Sequence, residues 1–232
     1  MEHKFFERFL DIDLDSLYDF LIDREADLLS EKFPGIHKGL IDEYRHENDS
    51  ITLKLLNYYN IFALQHPALH KLYSAVRDMT KEACDYYGID WDKEQYYVQG
   101  WVNIESYDNG MRPSPDFVVT DTTWYDLDPD PTKLHEHNGG LGMPDLHGYF
   151  CVYAEPSVTH YMINKETPFK NINKNGRAIL SETGHPHSRG YWPNQNKRRI
   201  TIAYDTLSKR NLDEWSTKGN PGDLSQHWIP LA

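Results

Sequence analysis

Apolar positions change their period along this chain, from a spacing of three to four residues to an alternation of two, and the change divides it into two parts. After Asp13, which can cap a helix, Leu14, Leu17, Tyr18, Leu21 and Ile22 recur at helical spacing, with Asp15, Asp19, Asp23 and Arg24 opposite. Phe33-Pro34-Gly35 interrupts that pattern, and Asn48-Asp49-Ser50 gives a new start before Ile51, Leu53, Leu55 and Leu56. The clearest helical stripe follows: Pro67 near the first turn, then Leu69, Leu72, Tyr73, Val76, Met79 and Ala83, with Gly88 at the end. These signals predict a helical N-terminal part over about 1–92.

Beyond Asp90-Trp91 the texture becomes β-rich. Tyr96–Ile104, Gly148–Tyr153 and Arg199–Tyr204 read as strands. Helices first and strands second predict an α+β chain with a β core over about 95–207 and a tail over 208–232. Trp215 and Trp228 in the tail are expected to pack on the body. Between Ser106 and Leu134 lies a long stretch rich in Asp, Pro and Thr, longer than the roughly 15 residues of an ordinary connection, and therefore a candidate lid.

The length of 232 residues suits one domain. Lys+Arg number 24 against Asp+Glu 36, so 24 − 36 gives a formal net charge of −12, which disfavours nucleic acid as a partner. The first residues lack a signal-peptide pattern, and no stretch reaches the roughly 20 apolar residues of a membrane helix, so a cytoplasmic protein is expected. Cys84 and Cys151 form no CxxC pair and are expected as buried thiols rather than zinc ligands or a disulfide.

Chemistry concentrates at the histidines. His135-Glu136-His137 and His185-Pro186-His187 each precede a β-rich run. In an extended segment residues i and i+2 share a side, so His135 and His137 can reach one metal, and His187 from a distant strand can complete a facial set. Beyond His187, Arg199 and Thr201 share a strand face and form a two-point receptor for a carboxylate. Alternation sends Arg198, the rival arginine, to the other face.

This order of motifs resembles the iron(II)/2-oxoglutarate-dependent oxygenase superfamily. The resemblance spans about Tyr96–Asp205 and rests on the strand Gln99–Ile104, His135-Glu136-His137, the aromatic strand Tyr149–Pro156, Pro186-His187-Ser188 and Arg199-Ile200-Thr201. It implies a double-stranded β-helix, a cupin-like jelly-roll, here with N-terminal helices packed on it. It also implies Fe(II) held by His135 and His187, and 2-oxoglutarate whose distal carboxylate meets Arg199 and Thr201. The reaction expected is hydroxylation by O2 of an unidentified small molecule or peptide side chain, with release of succinate and CO2.

The family's usual His-x-Asp or His-x-Glu is His-x-His here, so the third ligand is either His137 or a carboxylate such as Asp145. Tyr153 and Asn103 are weaker candidates, the first as a donor to the 2-oxoglutarate carboxylate and the second on the iron side of the pocket. His147, His160 and His185 read as structural, and Trp101 and Trp124 as core or pocket lining. Two rival functions stay open: a three-histidine metal-dependent dioxygenase or isomerase without 2-oxoglutarate, and a non-catalytic barrel protein. Neither substrate identity nor oligomeric state is legible.

Overall fold

The computed structural model describes residues 3–29, 60–105, 146–163, 167–190, 192, 194, 196–217 and 228–232. The break at Phe33–Gly35, the start signal at 48–50 and the candidate lid lie outside them.

Two helices carry the apolar stripes. Helix α1 (Leu14–Leu29) starts where the Asp13 carboxylate accepts from the Ser16 N–H at 2.9 Å, and Leu17 and Leu21 are fully buried. Helix α2 (Pro67–Tyr87) is capped by His66, whose Nδ1 accepts from Ala68 N–H at 3.2 Å, and stops at Gly88, which turns left-handed at φ 73°. Leu69, Leu72, Val76, Met79 and Ala83 form its buried face. A 3-10 turn (Ile61–Ala63) precedes it.

The strands form two antiparallel sheets. The larger runs β1 (Phe6–Phe9), β6 (Arg177–Glu182), β3 (Leu146–Tyr153), β8 (Arg199–Ser208), β2 (Tyr96–Glu105) and β9 (Ile229–Pro230). The smaller runs β5 (Thr167–Ile172), β4 (Val158–Ile163) and β7 (His187–Arg189). A third helix, α3 (Lys209–Thr217), follows β8. Two facing antiparallel sheets are the layout expected of a jelly-roll.

Register decides which side chains share a face. Phe150 pairs with Ile202 and Ala178, and Ile104 with Ile200; these residues join Leu17, Leu21, Leu69 and Leu72 in one apolar cluster. The opposite face of the large sheet carries Gln99, Trp101, Asn103 and Glu105 on β2, His147, Tyr149 and Cys151 on β3, and Arg199, Thr201, Ala203 and Asp205 on β8. Its apolar side therefore meets helices, and its polar side meets the small sheet.

The N-terminal part is not wholly helical. Phe6–Phe9 pairs antiparallel with β6, Phe6 opposite Leu180, although four residues with only Phe6 buried carry too short a pattern to read as a strand. Near the other end of the chain, Trp228 is buried beside Leu207, Leu212 and Tyr97, as expected for the tail. Cys84 and Cys151 are free and buried. Among the described residues no helix is long and apolar enough to cross a membrane.

Candidate metal and carboxylate site

Strand β7 delivers His187 to the space between the sheets. It pairs with β4, His187 opposite Tyr161 and Arg189 opposite Thr159. The His187 ring stands 5.4 Å from that of Tyr161 and is stacked at 4.7 Å on His147 of the large sheet. Its Nδ1 lies 3.1 Å from the His185 carbonyl oxygen. A carbonyl only accepts, so Nδ1 carries the proton and Nε2 the lone pair, the tautomer of a metal-ligating imidazole with an outer hydrogen bond.

His147, read from sequence as structural, is held in the same way. Its Nδ1 is 2.7 Å from Asp205 Oδ1, directly across the β3–β8 pair, so the carboxylate accepts from a proton-bearing Nδ1 and fixes the ring's orientation. The sequence signal for it was the alternation of β3, which places His147 with Tyr149 and Cys151; the partner Asp205 is 58 residues away and only pairing finds it.

Farther along the same face Arg199 is almost completely buried. Its Nη1 donates to Glu105 Oε2 at 2.9 Å and its Nε to Ser157 Oγ at 3.2 Å. Arg189 of the small sheet donates its Nε to the other oxygen, Glu105 Oε1, at 2.8 Å. One carboxylate thus bridges two guanidiniums across the sheets, and the three groups sum to 2 − 1 = +1 inside a chain of net charge −12. Sequence reading missed Glu105 and Arg189, because the pair is 84 residues apart along the chain.

Thr201 is buried on the Arg199 face, with Asn103 on one side and Cys151 on the other. Arg198 turns away: its Nη1 pairs with Glu25 of α1 and its N–H donates to Tyr18 Oη at 3.2 Å. Tyr153 turns away as well. A register shift after Cys151 sets it opposite Ile200, and it packs against Tyr18, Trp192 and the Lys197 ammonium, with Asn194 Nδ2 donating to its hydroxyl at 3.4 Å. The expected contact between Tyr153 and the carboxylate receptor is therefore corrected, since the bulge rotates the ring to the helix side.

Around these groups the interior is polar and hydrogen-bonded. Asn171 Nδ2 donates to Tyr149 Oη at 2.9 Å, and that hydroxyl donates to Asn173 Oδ1 at 2.8 Å. Burial pushes the Cys151 thiol up to about 11, so it stays protonated and is a poor metal ligand. Burial also raises the Tyr149 and Tyr161 hydroxyls, which remain neutral donors. His160 pairs with Ser188 and faces away from Tyr161 and His187. Trp101 is buried on the polar face, 6.2 Å from His147. His135, His137, Asp145 and Trp124 lie outside the described residues.

No family model and no curated protein sequence matches the chain. Similar solved structures include a nickel complex of the non-heme monooxygenase ThoJ, at 10% identity and TM-score 0.47, covering 89% of this chain and 74% of that one. The non-heme alpha-ketoglutarate-dependent carbocyclase SnoK from nogalamycin biosynthesis is 9% identical at TM-score 0.47, over 100% and 93%. HygX from Streptomyces hygroscopicus, with nickel and 2-oxoglutarate bound, is 11% identical at TM-score 0.42, over 87% and 81%.

Proposed function

We propose that this chain is an iron(II)- and 2-oxoglutarate-dependent oxygenase, a dioxygenase that hydroxylates a small molecule or peptide side chain and releases succinate and CO2. The observation that carries the reading is a single polar interior. It receives an imidazole set for coordination from one sheet, His187, and a buried guanidinium from the other, Arg199.

The donor set fits a divalent iron. His187 Nε2 would be one nitrogen ligand, and the sequence pattern offers His135 and His137 as two more, with Asp145 as the alternative third; those three lie outside the described residues. Held by these residues, Fe(II) would supply the redox centre for a reaction in which O2 is the oxidant and the substrate C–H bond and the 2-oxo acid each give up two electrons. The chain's own part is positional and electrostatic. The His185 carbonyl holds the His187 ring in one tautomer. Arg199 and Arg189 make the site attractive to a dicarboxylate, Thr201 offers a hydroxyl on the same face, and Glu105 holds the arginine fork in place until an anion arrives.

Anaerobic titration with Fe(II) and 2-oxoglutarate tests this. The wild-type protein should develop the visible charge-transfer band of a chelated 2-oxo acid, His187→Ala should lose it, and Arg199→Ala should need on the order of 10- to 100-fold more 2-oxoglutarate, as one charge-assisted contact implies. Wild-type behaviour in both variants would refute the assignment.

One observation favours a second reading. His147, stacked on His187 and oriented by Asp205, enriches the site in nitrogen, which suits a three-histidine dioxygenase or isomerase that uses no 2-oxo acid. Succinate formed in step with product separates the two: its absence during turnover would select the second.

A further inference from the structure

His3, Glu182 and His185 form a group apart from the inter-sheet site. Glu182 pairs with Leu146, which pairs with Thr206, so it belongs to the face opposite His147, Thr201 and Arg199. His3 stands just before β1 and His185 in the turn between β6 and β7, their rings edge to face at 4.2 Å. One ligand atom from each of the three lies within 4.8 Å of the other two.

We propose that His3, Glu182 and His185 bind a divalent transition-metal ion of the zinc class, joining the N-terminal segment to the β6–β7 turn. Two imidazoles and one carboxylate are the ligand types such an ion takes. In a tetrahedral site with bonds of about 2.0–2.2 Å the ligand atoms stand roughly 3.4 Å apart, so side-chain rotation of about an ångström closes the group on an ion.

His3 supplies a separate reason. Both its ring nitrogens are shielded from solvent and neither has a hydrogen-bond partner among the described residues, a costly state for an imidazole that coordination would relieve. Its neighbour Phe5 packs at 5.3 Å on Tyr161, and Tyr161 on His187. An ion here would therefore brace the turn whose carbonyl orients His187. The inference does not depend on the reaction proposed above.

The test is a Zn2+ titration of the chelator-stripped full chain against a chromophoric competitor, with bound zinc counted by mass spectrometry. It is run in the wild type and in His187→Ala, which removes the inter-sheet ligand. In His187→Ala, where the inter-sheet ligand is gone, one tight zinc equivalent should remain, and adding His3→Ala or Glu182→Gln should abolish it. The loss should exceed the roughly 10- to 100-fold caused by changes outside a coordination sphere. His3→Cys, which restores a ligand, should keep the equivalent. In the His187→Ala background zinc should raise the melting temperature, and adding His3→Ala should remove that rise. In the same background, a tight zinc equivalent that survives both His3→Ala and Glu182→Gln, or the absence of any tight equivalent, overturns the proposal.

Discussion

At the scale of single residues, Glu105 decides how the interior tolerates its charges. Arg199 and Glu105 are each over nine-tenths buried at the side chain, and Arg189 is about four-fifths so, which puts the trio under the rule for buried pairs. Forming such a pair contributes little net stability, but removing one partner leaves an uncompensated charge. Glu105→Gln keeps the shape and removes the charge, so we expect a loss of about 3–5 kcal/mol in urea unfolding. A loss below about 1 kcal/mol would show that other groups already neutralise the two guanidiniums. Tyr149 depends on partners in the same way. Its hydroxyl joins Asn171 and Asn173, three residues whose buried polar atoms satisfy one another across the sheets.

At the scale of elements, the strands sit where backbone contact permits. A Cβ at Gly148 would lie 2.1 Å from the Ile179 carbonyl oxygen and 2.6 Å from Tyr204 Cε2, the first being backbone of the neighbouring strand β6. Gly148→Ala should therefore separate β3 from β6, the pairing that also places His147 opposite Ser181. We expect a destabilisation of more than about 3 kcal/mol, at the far end of single substitutions, read from chemical denaturation. Gly100 faces side chains instead, Ile61 Cγ2 and Phe62 Cε2, both at 2.7 Å. Those groups can rotate, so Gly100→Ala should cost less than Gly148→Ala, and the reverse order would contradict this account of β3.

At the scale of the molecule, three histidines outside the inter-sheet site couple stability to pH. Burial lowers the pKa of His3, His66 and His185 below the ordinary 6.5. The unfolded chain takes up protons below about 6.5 that the fold resists, so stability is full above that pH and falls as pH drops toward about 4, the value for His3. The metal-free protein should accordingly melt at lower temperature at pH 5 than at pH 7. His66→Asn keeps a capping oxygen for Ala68 N–H while removing one titrating ring, and should shrink the difference. An unchanged melting temperature over that interval would count against the burial of these rings.

Local signals were enough for several parts of this structure. The cap at Asp13, the stripe from Leu69 to Ala83, the stop at Gly88 and the alternation of β2, β3 and β8 are all short-range, because helical and strand periods and turn chemistry act within a few residues. For the same reason alternation alone set Arg199 and Thr201 on one face and Arg198 on the other. Pairing between distant segments decided the rest. The strand at Phe6–Phe9 exists because β6 offers it an edge, and the bulge after Cys151 turns Tyr153 toward α1. Asp205 meets His147, and Glu105 joins Arg189 to Arg199, only once β2, β3 and β8 lie side by side with β7 facing them. Such contacts depend on register and on the approach of two sheets, and no pattern within a single strand encodes either.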